Sequence, residues 1–304
     1  MAPQSQPAVE QKSNALAYLL LTLTALSWGC NAIFGKLAVG EISPMVLVSL
    51  RWLLSLAFLL SVAGPQLKRD WPLLRTRLPF LSVMGMLGFT GFNALFYSAA
   101  HLTTAVNIGI LQGSIPVIVL IGVFLLHRTP VTVYQIIGVL VTLVGVVTVV
   151  FEGDIARIAT MAINRGDLLM LLACALYAGY TIGLSNRPQV GALSLFTVMA
   201  ASAFAVSLPL AGLEYAFGDF QAPTTTGWIL VGLIALLPSF LAQIFYIKGV
   251  ELIGPGRAGV FVNLVPVFAA ILSVAYLGEA FKTYHAIALA LVLGGIWLSE
   301  RRKA

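Results

Sequence analysis

Amide and phenol side chains recur at set places inside long apolar runs, and they are the groups with which this chain can do chemistry. One run carries Asn93 and Tyr97, and at an offset of 150 residues another carries Gln243 beside Tyr246. Asn31, Asn107, Gln112 and Asn263 add further amides, and Trp28, Tyr177 and Tyr180 add aromatic rings with polar tips. In lipid every such group must find a partner, because an unsatisfied one costs several kcal/mol. Two uses are open to them: hydrogen bonds between helices, worth about 0.6 kcal/mol each, or the lining of a polar cavity. Taken as a set they favour a cavity that suits a flat hydrophobic side chain with hydrogen-bonding ends, as in aromatic or bulky aliphatic amino acids.

The charges inside the runs are as informative. Arg51 lies eight residues into its run. It can hold a substrate carboxylate, pair with Glu41 or brace backbone carbonyls, and the structural roles are the expected ones. Glu41, Asp167, Glu214, Glu251 and Glu279 all lie at run edges. A proton-driven antiporter needs an embedded carboxylate or histidine, so facilitated movement is expected, with Glu279, His101 and His285 as fallback proton carriers. Cys30 and Cys174 have no metal-ligand spacing and read as inert thiols. No cofactor or metal is expected.

What must position these residues is a membrane. With 60% hydrophobic and 9% charged residues in 304, the chain cannot cover a soluble body. About 20 apolar residues cross a bilayer core, and ten such runs are present: 15–37, 44–63, 79–99, 105–126, 131–151, 167–185, 193–213, 227–247, 257–277 and 284–298. Continuous apolarity demands helices rather than barrel strands. The predicted fold is therefore an all-α integral membrane protein, and membrane lipid is its surrounding partner.

Lys and Arg counts orient it. With a cytoplasmic amino terminus, one side holds Lys12, Lys68, Arg69, Arg75, Arg77, Arg128, Arg187, Lys248, Arg257, Arg301, Arg302 and Lys303, and the other only Lys36, Arg157, Arg165 and Lys282. Twelve against four places both termini in the cytoplasm. The net charge of +6 then reflects topology, and nucleic acid is not an expected partner.

A shift of 150 residues lays one half on the other. Pro116 meets Pro266, Tyr134 meets Tyr284, Gly109 meets Gly259 and Gly145 meets Gly295 without a gap. This is a duplication. Five spans per half make the second half enter from the opposite face, and inverted repeats around a midplane site are a transporter architecture. The expected organisation is a polar segment 1–14, a first repeat 15–151, a connection 152–166, a second repeat 167–300 and a basic end 301–304. Pro116 and Pro266 are expected to bend the fourth and ninth spans, each removing a backbone donor in mid-helix. Gly85, Gly88 and Gly91, Gly109 and Gly113, and Gly138 and Gly145 mark faces for close helix packing.

The ten spans, the duplication, Trp28-Gly29-Cys30-Asn31, and the phrases Ala99–Ala105 leading to Pro116 and Gly249–Pro255 leading to Pro266 resemble the drug/metabolite transporter superfamily, specifically its EamA-type exporters. The likeness covers Ala15 to Arg302. It implies export of amino acids or related small metabolites across a bacterial inner membrane, and within the superfamily the chain is most similar to an aromatic amino acid exporter. The alternative on the same fold is a multidrug or sugar-conjugate carrier, although anionic sugar nucleotides would call for more buried cations than Arg51. A membrane enzyme would need a convergent acid, base or nucleophile, and an ATP-driven pump a Gly-rich phosphate loop; neither pattern occurs.

Overall fold

A computed structural model describes residues 6–128, 132–154, 163–253, 258 and 261–300. Arg157, Arg257 and the basic end 301–303, used above for orientation, lie outside the described residues, as do Pro255 and Gly259 of the repeat. All regular secondary structure among the described residues is helical, and it is arranged as ten spans joined by short turns and loops. The first is Gln6–Leu37 and the second Pro44–Leu74. The second and third belong to one apolar helical run, Pro44–Ala100, of 57 residues. A straight helix of that length would be about 86 Å long, so the run must fold back. It does so at the 3-10 turn Arg75–Arg77, since Arg51 in one limb hydrogen-bonds Asn93 and Tyr97 in the other.

Interactions between span ends establish the weave. Lys36 Nζ, at the end of the first span, donates to the carbonyls of Ala100 and Thr103 at the end of the third, both at 2.9 Å. Glu279 accepts from the N–H groups of Ala105 and Val106, which open the fourth span, at 2.9 Å each. Glu214, near the end of the seventh span, accepts from Met45 and Val46 at the start of the second. Each carboxylate caps a helix N-terminus, where unpaired N–H groups and the helix dipole favour negative charge. Asp167, opening the sixth span, accepts from Thr103 Oγ1 at 2.6 Å. These contacts gather on the face where the first span ends and the sixth begins. The second half therefore crosses the membrane in the opposite sense.

Packing repeats with the same symmetry. The fifth span, Val133–Val150, lies along the tenth, Thr283–Glu300, and the second along the seventh, Ala192–Ala216. The first span packs on the eighth and ninth, as the sixth, Arg165–Gly183, packs on the third and fourth. Two irregularities also recur near the 150-residue offset. The third span, Leu78–Ala100, widens into a π-helical stretch at Met86–Gly91, and the eighth, Thr225–Ile253, does so at Ala235–Leu241. Helices end at Arg128 and Gly278, both left-handed, with φ of 51° and 65°.

The proline expectation needs correcting. The fourth span is not bent at Pro116 but interrupted: Ala105–Gln112, a turn at Gly113 and Ser114, then Ile115–His127. The ninth likewise turns at Asn263 and Leu264 before Val265–Leu277. Pro116 and Pro266 are thus the second residues of fresh helical segments, where a missing N–H costs nothing. Glycine contacts follow the packing expectation. A Cβ on Gly109 would lie 2.4 Å from Ala269 Cβ, and one on Gly88 would lie 2.3 Å from the Tyr180 ring.

Large apolar side chains cover the outside. Leu60, Leu140, Ile229, Ile271 and Trp297 are each more than half exposed. In water such a surface would be untenable; in a bilayer these residues meet acyl chains. The protein is an integral membrane protein.

Candidate functional site

Where the interrupted fourth and ninth spans meet the π-helical stretches, the halves enclose a cavity of about 140 Å³. The first half contributes Asn31, Arg51, Asn93 and Gln112, and the second Gln243 and Asn263. Aromatic walls come from Trp28, Trp52, Phe89, Phe92, Tyr177 and Phe196. Both prolines face it, together with Pro238 and Ser239 of the second π-helical stretch. A π-helical turn displaces the residues that follow it and frees backbone groups, and such turns are often found at functional sites.

Of the residues expected to line a cavity, Trp28, Asn31, Asn93, Gln112, Tyr177, Gln243 and Asn263 do so. Tyr97, Tyr180 and Tyr246 do not, and each supports a residue that does. Tyr97 is 2% exposed and donates from its hydroxyl to Asn31 Oδ1 at 2.9 Å. Tyr180 packs on Phe89 and Tyr177, with centroids 5.4 and 5.3 Å away. Tyr246 packs on Trp28 at 5.5 Å, while the Trp28 indole N–H donates to the Pro238 carbonyl at 3.1 Å. Tyr97 and Tyr246 share a helix with Asn93 and Gln243, but the helix turn points them into packed neighbours.

Arg51 departs most from expectation. Neither structural role holds among the described residues: Glu41 accepts from Thr224 and its carboxylate is not on Arg51, and no described backbone carbonyl accepts from the guanidinium. Instead Nη1 donates to Asn93 Oδ1 and, at 2.6 Å, to the Tyr97 hydroxyl. The Asn93 amide donates to the Phe89 carbonyl at 2.6 Å, which fixes its orientation. The guanidinium carbon lies 5.2 Å from the Trp52 ring centroid and 5.8 Å from that of Tyr97, within cation–π range. The side chain is 5% exposed, and its charge faces neutral dipoles.

Trp52 and Phe196 line the cavity although sequence reasoning did not single them out. Trp52 stacks on Phe89 at 4.7 Å and meets Phe196 edge-on at 6.5 Å. A signal was available in Trp52, since it directly follows Arg51, which lies eight residues into its apolar run.

The fallback proton carriers lie elsewhere. Glu279 is the cap described above. His101 follows the end of the third span, where burial first and Lys36 second lower its pKa. The Lys282 N–H donates to His285 Nδ1 at 3.1 Å, which assigns the proton to Nε2, directed at Asn107 Oδ1 3.1 Å away. The Asn107 amide donates in turn to Thr103 and Asp167, so this network ties the ends of the fourth, sixth and tenth spans outside the cavity. Among the described residues no cluster of His, Cys, Asp or Glu has the makings of a metal site.

The model of the EamA-like transporter family matches residues 15–151 and again residues 164–301. YetK of Bacillus subtilis strain 168, named an uncharacterized transporter, is 29% identical over 289 residues, covering 94% of this chain and 87% of the relative. YyaM of the same strain, likewise named, is 27% identical over 282 residues, 92% of each. A solved crystal structure superposes with a TM-score of 0.63 at 19% identity, over 94% of this chain and 97% of that one, which shows the shared fold.

Proposed function

The chain belongs to the EamA-like transporter family, and from that premise we propose that it exports small metabolites with a flat apolar body and a hydrogen-bonding end, aromatic and other hydrophobic amino acids among them, by alternating access. One observation carries the reading: a cavity where the interrupted spans of the two repeats meet, lined from both halves by amides and from several spans by aromatic rings. The substrate-binding roles fall to Trp28, Asn31, Asn93, Gln112, Tyr177, Gln243 and Asn263. Tyr97, Tyr180 and Tyr246 hold those residues in place. Pro116 and Pro266 start the half-helices that border the chamber.

The two units, 15–151 and 167–300, joined by 152–166, act as opposed gates. Both termini face the cytoplasm of a bacterial inner membrane, as the distribution of Lys and Arg supports. Transport is facilitated, since each described Asp and Glu lies outside the cavity lining. Counterflow in liposomes tests the reading: labelled phenylalanine or tryptophan accumulates against preloaded unlabelled amino acid, and Trp28→Ala or Gln243→Ala lowers the rate at least about tenfold without loss of the folded protein. Accumulation of cationic dyes with no exchange of any amino acid would favour the multidrug alternative.

A further inference from the structure

Arg51 is held so that one edge of its guanidinium stays free. Both Nη1 protons are taken by Asn93 and Tyr97. Nε is buried with no partner, and no described group accepts from Nη2. The Nε–Nη2 edge presents two parallel N–H groups, which is the fork that matches a carboxylate. A second unpartnered donor belongs to the next residue, since the Trp52 indole N–H is also buried without a partner, and Trp52 is among the residues that line the cavity. A native protein rarely buries two donors with nothing to receive them. Both await an acceptor.

The charge balance points the same way. No described acid is among the residues that line the cavity, and most are engaged elsewhere. Asp70 accepts from the Gly191 N–H, Glu251 pairs with Lys248 and Asp219 lies in the loop after the seventh span. Glu41, Asp167, Glu214 and Glu279 hold the span-end contacts given above, and Lys282 Nζ reaches Glu152 at 4.0 Å. The carbonyl oxygens of Asn31 and Asn93 are already accepting. A zwitterion bound at Arg51 would leave its ammonium desolvated beside a cation, with no fixed negative charge to meet it; a monoanion would neutralise the site.

We propose that the cavity prefers its cargo as a net monoanion, an aromatic carboxylate with no ammonium beside it, over the zwitterionic amino acids that it carries more slowly, and binds it through the free edge of Arg51 with its ring among Trp52, Phe89 and Phe92. The proposal rests on the transporter reading and sharpens its substrate class. Counterflow in liposomes with three labelled probes tests it: 3-phenylpropionate, phenylalanine and phenethylamine. The expected result is phenylpropionate carried about tenfold faster than phenylalanine, with phenethylamine not carried. Arg51→Lys retains part of the phenylpropionate flux and Arg51→Gln abolishes it. The wild-type comparison stands even if Arg51→Gln fails to fold. Phenylalanine carried as fast as or faster than phenylpropionate overturns the proposal and leaves the transporter reading intact. Counterflow of none of the three, in vesicles that contain folded protein, overturns both.

Discussion

A guanidinium that has left water keeps its charge here through neutral dipoles: the Asn93 carbonyl, the Tyr97 hydroxyl and the faces of two rings. Removing one of them should be felt by the whole cluster, because the Tyr97 hydroxyl also serves Asn31. Tyr97→Phe is therefore expected to lower stability by about 1 to 3 kcal/mol, read as a drop in the melting temperature of the detergent-solubilised protein. An unchanged melting temperature would mean that the cluster is not cooperative. The sequence disclosed the polar residues of this site because lipid makes each one conspicuous. It did not disclose which rings face inward. Trp52 and Phe196 line the cavity while Tyr180 and Tyr246 sit behind it. A helix apolar on all sides carries no stripe to set its rotation, and only packing decides.

Single elements are shaped by interruptions. Pro116 and Pro266 were legible as a repeated pair, but the turns before them were not, because Gly113-Ser114 and Asn263-Leu264 share no turn signature. Pro116 sits where its absent N–H is harmless. Pro116→Ala should accordingly change stability by less than about 1 kcal/mol, whereas relief of a mid-helix proline would gain about 3 kcal/mol; thermal denaturation separates the two. The fourth span also depends on a carboxylate from across the protein. Glu279→Ala leaves the Ala105 and Val106 N–H groups without their cap. The expected loss is about 1 kcal/mol, partly recovered in Glu279→Gln, which keeps one acceptor. Equal melting temperatures for wild type and Glu279→Ala would contradict the capping role. Gly88 is a further test of close approach. Gly88→Ala forces Tyr180 away from Phe89 and should reduce transport before it reduces folding, read by flux and melting on one preparation.

Taken whole, the molecule shows how far an internal repeat can be read. The 150-residue shift is visible in prolines, a tyrosine and glycines, and with five spans per half it implies opposed halves. Its structural counterparts, the paired π-helical stretches and the paired left-handed helix ends, left no such trace, because backbone geometry repeats where side chains have diverged. The central claim is that the chamber between the halves is the path of the cargo and opens to each side of the membrane in turn. Ser239 lines that chamber and differs from cysteine by one atom. A Ser239→Cys protein, with Cys30→Ser and Cys174→Ala removing the two native thiols, can be placed in sealed vesicles of either orientation and exposed to a membrane-impermeant thiol reagent. Labelling from both sides, slowed from both by transported substrate, is the predicted result. Labelling from one side alone during turnover, or from neither, would contradict the account.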